Sequence, residues 1–250
     1  WKMNLSVTSK KYMDHANYIG RSSTAKEGLD LNDNPDLKSP GGFISLITTQ
    51  PSWKEDGLGH FTTDIRSKLY RSGLWDIEVH IKGDKGPFTL STSMIGELPK
   101  DRSFILFDYS TKDHYDLTGD DSFQFYHHGE SIPYKFKIIE GPPEFIANQL
   151  SEIMRSIPDK FQLHHNYPNP FNPITNISYE LSEPSRVTIT IYDLKGREVK
   201  TIVNEWKQSG YYSTVWNSTD NRNNPVSSGI YFYRMKTNTF HKTLKMLLIK

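Results

Sequence analysis

Hydrophobic positions in the first 140 residues recur at every second residue in short bursts, not at every third or fourth. Residues 75–81 are the cleanest case. Trp75, Ile77, Val79 and Ile81 alternate with Asp76, Glu78 and His80, which predicts a half-buried antiparallel strand. The runs 88–91, 103–108, 122–126 and 134–139 continue the series, and Leu5 to Val7 and Phe43 to Ile47 supply two more strands. Turn-forming groups such as Gly83-Asp84, Pro99-Lys100-Asp101 and Gly119-Asp120-Asp121 separate them. Short strands at a spacing of about ten residues predict a β-sandwich.

The pattern changes at Gly141-Pro142-Pro143, which stops the last strand. Residues 144–157 then fit a short amphipathic helix with Phe145, Leu150, Ile153 and Met154 on one face. Period-two alternation returns afterwards. Six strands are predicted at 176–181, 187–192, 198–203, 211–216, 229–235 and 242–249, with turns at 184–185, 194–196 and 220–225. The expected fold is all-β with two β-sandwich domains: a module at 1–140, a linker at 141–160 and an immunoglobulin-like sandwich at 161–250.

A length of 250 residues agrees with two domains. The 30 basic residues nearly balance the 29 acidic ones for a net charge of +1, so no field of one sign is expected and nucleic acid is not the expected partner. The absence of cysteine excludes disulfides, thiolate metal sites and a Cys nucleophile. No apolar run approaches 18 residues, so no spanning helix is expected. No signal peptide is recognisable and position 1 is Trp, which reads as a chain processed or cut from something longer.

Candidate chemistry is sparse. There is no nucleophile elbow, phosphate loop or dinucleotide fingerprint, and Gly57-Leu58-Gly59 lacks the third glycine. His127-His128 and His164-His165 are adjacent pairs, whose side chains point to opposite faces of a strand and cannot share a metal without a bend. Asp30, Asn32, Asn34 and Asp36 place oxygen ligands at every second residue, as calcium requires of a wrapped loop. Pro35 stands where such a loop has its glycine, and no bidentate Glu follows. An Asx-rich turn is therefore the expectation and calcium the alternative, and no other cofactor is expected. Asp113, Asp116, Asp120 and Asp121 read as a solvated loop rather than a carboxylate dyad. Trp53 and Tyr70 are either packed residues or a platform for a sugar.

The last ninety residues carry motifs in order. Residues 166–173 read Asn-Tyr-Pro-Asn-Pro-Phe-Asn-Pro, followed by Thr175 to Tyr179. Residues 191–199, Gly210 to Asn217, Asn224 to Arg234 and the closing Lys245 to Lys250 complete the set. Together these resemble the type A C-terminal sorting domain of the type IX secretion system, a fold similar to the immunoglobulin-like domain of the flagellar hook-capping protein. The resemblance covers about a third of the chain. It implies export across the outer membrane of Bacteroidetes-type bacteria, often with removal of the domain by a surface peptidase and linkage of the passenger to lipopolysaccharide. It places the sorting signal at Gly229, Ile230 and Tyr231 and at Lys245, Met246, Leu247, Leu248, Ile249 and Lys250. In the first 140 residues, Trp1 to Val7, Asp14 to Gly20, Trp75 and Asp108 loosely resemble β-sandwich modules that precede such domains.

These readings together predict a secreted or cell-surface protein with no enzymatic activity, structural or adhesive, whose partner is the type IX secretion machinery. Surface polysaccharide and other protein subunits are further expected partners. The alternatives are the non-catalytic C-terminal remnant of a larger secreted protease or glycoside hydrolase, and a carbohydrate-binding module.

Overall fold

Alternation becomes strand throughout the computed structural model, which describes residues 1–26, 31–35, 43–49, 60–68, 72–97, 100–117, 119–127 and 132–249. The chain divides into two units, Trp1–Met154 and Arg155–Lys250, both built of β-sheet.

The first unit contains β1 (Lys2–Thr8), β2 (Met13–Ser22), β3 (Asn34–Pro35), β4 (Phe43–Thr49), β5 (His60–Ser67), β6 (Gly73–Lys82), β7 (Phe88–Ile95), β8 (Ser103–Asp108), β9 (His114–Asp116), β10 (Asp121–Phe125) and β11 (Tyr134–Gly141). They form one hydrogen-bonded sheet in the order β10-β7-β1-β2-β5-β4-β6-β11-β8-β9, with β3 also on β5. Only the β2–β5 pair is parallel among these described strands. The sheet rolls on itself until its two end strands approach, with the rings of Tyr115 on β9 and Phe123 on β10 at 4.7 Å. Inward residues from both halves then share one core, among them Met3, Leu5, Leu46, Trp75, Val79, Leu90, Leu106 and Phe136.

Strands β2, β3, β5 and β9 are additions to the sequence reading. β2 and β5 escape a hydrophobic pattern because they bury polar residues: Asn17 and Arg21 on β2, Thr63 and Asp64 on β5. Such groups are tolerated inside only when paired: Asp64 pairs with Arg66 and Asn17 with Asp14 on the same strand, whereas the partners of Arg21 are distant in sequence. Glu140 receives Arg21 Nε at 2.8 Å and also the Arg102 guanidinium. Arg21 Nη1 donates to Ser67 O at 2.7 Å. The Arg66 guanidinium, paired with Asp64, lies 4.6 Å above the Trp75 ring. Gly73 makes room for this cluster, since a Cβ there would stand 2.4 Å from the Trp75 ring and 2.8 Å from Arg21 Nη2.

On the outer face of β6 and β11, Glu78 accepts from Lys135 Nζ at 2.9 Å and faces His80 Nε2 at 3.0 Å. Burial pushes this carboxyl up, but the hydrogen bonds to His80 and Lys135 prevail and hold it at about 2. A depressed carboxylate adds stability above its unfolded value, and that stability is lost as pH falls towards the folded one. Glu78→Gln is therefore expected to cost about 1–2 kcal/mol at pH 7 after solvent screening. The two proteins should converge as pH drops from about 4.5 towards 2. Urea melts at several pH values measure this, and a constant gap would assign the loss to packing instead.

Helix α1 (Pro143–Ser156) follows Gly141 and Pro142, with the Ile146 N–H donating to Pro142 O. Ile146, Ile153 and Ile157 are buried and Met154 is exposed. The buried side of the helix thus runs through Ile146 and Ile153, with half-buried Leu150 between them, not through Phe145 and Met154 as the sequence suggests. Steps of four and three residues keep to one side of a helix, whereas 145 and 154 fall to either flank. Among the described residues no helix is long and apolar enough to cross a membrane.

The second unit holds β12 (Gln162–Leu163), β13 (Thr175–Leu181), β14 (Ser185–Tyr192), β15 (Glu198–Lys207), β16 (Gly210–Trp216), β17 (Gly229–Lys236) and β18 (His241–Leu248). Sheets β12-β13-β16 and β15-β14-β17-β18 face each other across a core that includes Ile177, Tyr179, Ile189, Ile191, Trp216, Tyr233 and Met246. All six predicted strands are present. At the β14–β15 turn Gly196 has φ 75°, a left-handed value that favours glycine, and Asp193 Oδ1 accepts the N–H groups of Lys195 and Arg197.

Candidate functional site

The segment from Asn166 to Pro173 has prolines at 168, 170 and 173, so it lacks the donors of a central strand. Side chains satisfy it instead. Asn166 Nδ2 donates to Thr175 Oγ1 at 2.9 Å and to Pro168 O at 3.1 Å, and the Thr175 hydroxyl donates to Pro168 O at 2.8 Å. The Tyr233 hydroxyl accepts the Asn166 N–H and donates to His164 O. Burial pushes that phenol up to about 12, which keeps its proton available to His164 O.

The middle of this segment closes on the end of the chain. The Phe171 N–H donates to Leu247 O and the Ile249 N–H to Phe171 O, each at 3.0 Å. Asn169 Oδ1 accepts the Leu247 N–H at 3.0 Å. The Phe171 ring is buried 5.6 Å from Trp216, whose ring meets Tyr231 edge-on at 5.1 Å. The opening motif and the closing strand, about eighty residues apart, thus form one clasp.

The residues assigned to a sorting signal divide by face. Tyr231, Met246 and Leu248 are core. Ile230 pairs with Leu247 and Phe232 with Lys245 across β17 and β18. Leu247 and Ile249 are 38% and 48% exposed, and Lys245 is exposed beside them. Gly229 starts β17, and Lys250 lies outside the described residues. Ile230, Phe232, Leu247 and Ile249 lie on the outward side of β17 and β18, and the alternation of a strand is why only half the motif is exposed.

An open cleft of about 550 Å³ lies elsewhere on this unit, lined by Asp193, Arg197, Glu198, Asp220, Arg222 and Tyr231 among others. Its carboxylates are occupied by the surrounding turns. Asp193 pairs with Arg197, Glu198 accepts from Asn221 Nδ2, and the Asn224 N–H holds Asp220 below its ordinary range.

Elsewhere the candidates stay apart. Asp30, Asp36, Trp53, Gly57, Gly59, Tyr70, Pro99 and His128 lie outside the described residues. Asn32 sits in a turn and Asn34 in β3, and the intervening Asp33 is buried with Oδ1 accepting the Ile65 N–H at 3.0 Å. This turn is held to β5 by its odd-numbered acid. Among the described residues no three His, Asp or Glu side chains are grouped to hold a metal. Asp113, Asp116 and Asp120 are exposed, with Asp116 on β9 and Asp121 opening β10. His164 meets Glu180 at 2.6 Å while His165 is exposed, on opposite sides of the chain as their adjacency requires. Sequence reasoning missed the pairing of Asn169 and Phe171 with the last strand. Its trace is the lone aromatic between two prolines, too large to be merely a turn residue.

Residues 172–239 match the FlgD Ig-like domain family. No curated protein matches the chain. Similar solved structures include PorZ, a surface component of the type IX secretion system of Porphyromonas gingivalis, with 15% identity over 70% of this chain and 21% of that one and a TM-score of 0.29. Dimeric latent PorU of the same organism has 13% identity over 100% of this chain and 30% of that one, with a TM-score of 0.30. The adhesin domain of Epf from Streptococcus pyogenes has 9% identity, coverage of 98% and 91%, and a TM-score of 0.27. The chain spans about a fifth of PorZ and under a third of PorU. At these scores none of the three decides fold or function here.

Proposed function

We propose that residues 161–250 are a type A sorting domain for type IX secretion, and that the first unit is a non-catalytic structural or adhesive module carried to the cell surface by it. The observation that carries this reading is the clasp. The Asn-Pro-Phe segment and the terminal strand, the two motifs on which the resemblance rests most, bind each other through three backbone-directed hydrogen bonds. The terminal strand and its neighbour β17 present one apolar stripe of Ile230, Phe232, Leu247 and Ile249, interrupted by Lys245. The match of residues 172–239 to an immunoglobulin-like domain supports the same frame. In the first unit the buried carboxylates are committed to structure: Glu140 to Arg21 and Arg102, Asp33 to Ile65, Asp64 to Arg66, Asp108 to Ser110 and Tyr134. That commitment favours support or adhesion over general acid–base work.

The test is export in a bacterium with a working type IX system. With a periplasmic signal peptide fused before Trp1, the intact chain should reach the cell surface or medium, while a chain lacking residues 161–250 should accumulate in the periplasm. Leu247→Asp combined with Ile249→Asp, both at exposed positions, should cut export by about tenfold or more while the unit stays folded, since an apolar docking surface does not tolerate unpaired charge. Normal export of the truncated chain would end this reading. Normal export of the double variant would move the recognised surface away from the stripe.

A further inference from the structure

Four strand edges bound the two sheets of the second unit, and three are short, charged or partly occupied. β12 is two residues long. β15 carries Glu198, Lys200, Glu205 and Lys207. Asn221 already sits on its edge, donating its N–H to Val199 O at 3.0 Å and accepting the Thr201 N–H at 3.1 Å. The end of β18 is taken by Asn169 and Phe171. β16 is different. It pairs with β13 on one side without any register shift and, among the described residues, with no strand on the other. Its residues, Gly-Tyr-Tyr-Ser-Thr-Val-Trp, include no charge and no proline. Tyr211 and Val215 are 61% and 55% exposed. Soluble proteins ordinarily blunt such an edge with Lys, Pro or a bulge, and β16 has none of these.

We propose that β16 is a self-association edge that pairs antiparallel with β16 of a second copy of this chain about a two-fold axis at Ser213. The strand is complementary to itself about that point. Tyr211 falls opposite Val215, so the exposed aromatic meets an exposed β-branched residue, a favourable cross-strand pair, and half-buried Tyr212 falls opposite half-buried Thr214. No like charges are brought together. The parity is also right: Tyr211 and Val215 both face outward, while Tyr212 keeps its ring against Tyr179 inside its own sandwich. The three-stranded sheets of two copies become one sheet of six. A seven-residue strand pair is a small interface, so monomer and dimer exchange with concentration. This association is separate from the export reading and survives its failure.

Sedimentation of the intact chain over a concentration series tests it. The average mass should climb from 28.9 kDa towards twice that value. Tyr211→Glu alone and Val215→Lys alone should each weaken association by about tenfold, because a lone charge then faces an apolar partner. The double variant should recover most of the loss, since opposite charges meet across the axis. Both positions are exposed, and an unchanged thermal melt confirms that the fold is retained. A mass fixed at 28.9 kDa at every concentration overturns the proposal. So does a dimer that the single variants leave intact, or one that the double variant fails to restore.

Discussion

Glu140→Gln is expected to lower the stability of the first unit by about 3–5 kcal/mol, the usual cost of leaving a buried charge without its partner. Glu140 is fully buried and takes both Arg21 and Arg102, and Arg21 is itself only 3% exposed at the side chain. Losing the carboxylate strands the Arg21 guanidinium among Trp75, Ser67 and the backbone of Gly73. The companion measurement separates the worth of the pair from the penalty of breaking it. Arg21→Met and Arg102→Met with Glu140→Leu removes all three charges and should cost far less than the single change, because apolar groups of similar volume avoid the desolvation that the ion cluster must offset. Denaturant unfolding followed by tryptophan fluorescence reads the region directly, since Trp1 and Trp75 meet edge-on at 5.9 Å. If the single variant loses less than about 1 kcal/mol, solvent reaches Arg21 and the cluster is not the closed network described.

Phe171→Ala is the second large effect, also about 3–5 kcal/mol, as expected for a fully buried aromatic replaced by a methyl group. The loss should have a second, local signature. Phe171 seats the segment that holds the end of β18, so amide exchange at Leu247 and Ile249 should accelerate more than exchange at Ile189 or Tyr233 in the centre of the same unit. If those two amides keep their protection, Asn169 and the prolines hold the clasp without the ring. Because the exposed stripe of Leu247 and Ile249 depends on this clasp, export should fall in this variant as well. Comparison with Leu247→Asp/Ile249→Asp, which leaves the ring in place, distinguishes a loosened fold from a missing contact.

Much of the second unit was legible because its signals are local. Val187, Ile189 and Ile191 alternate over one buried face, and each predicted strand of this unit is observed. The prolines at 168, 170 and 173 correctly keep that segment out of a central strand, and Gly196 sits at a turn with the positive φ it suits. The sequence could not reveal that the same segment bonds to residues near 248, because a contact across that separation leaves no period in the chain. Nor could it sort the sorting motif into core and surface: Met246 and Leu247 are equally apolar, and only the sheet's place in the sandwich decides which one is buried.

The first unit shows the opposite balance. β6 was evident from Trp75 to Ile81, yet β2 and β5 were not, because Arg21, Asn17 and Asp64 occupy positions where an inward-facing strand residue is ordinarily apolar. Their burial is favourable only through partners: Arg21 through Glu140 and Ser67 O on remote strands, Asp64 through Arg66 and Asn17 through Asp14 on their own strands. By itself, then, the sequence determined the all-β class, most strands and the turns between them, since backbone preference and period-two burial act over a few residues. Tertiary structure alone decided the single rolled sheet of the first unit, the clasp between residues 169–171 and 247–249, the buried ion cluster and the open edge of β16. Each of these depends on which distant groups satisfy a buried charge or an unpaired backbone donor, a choice made only when the chain closes on itself.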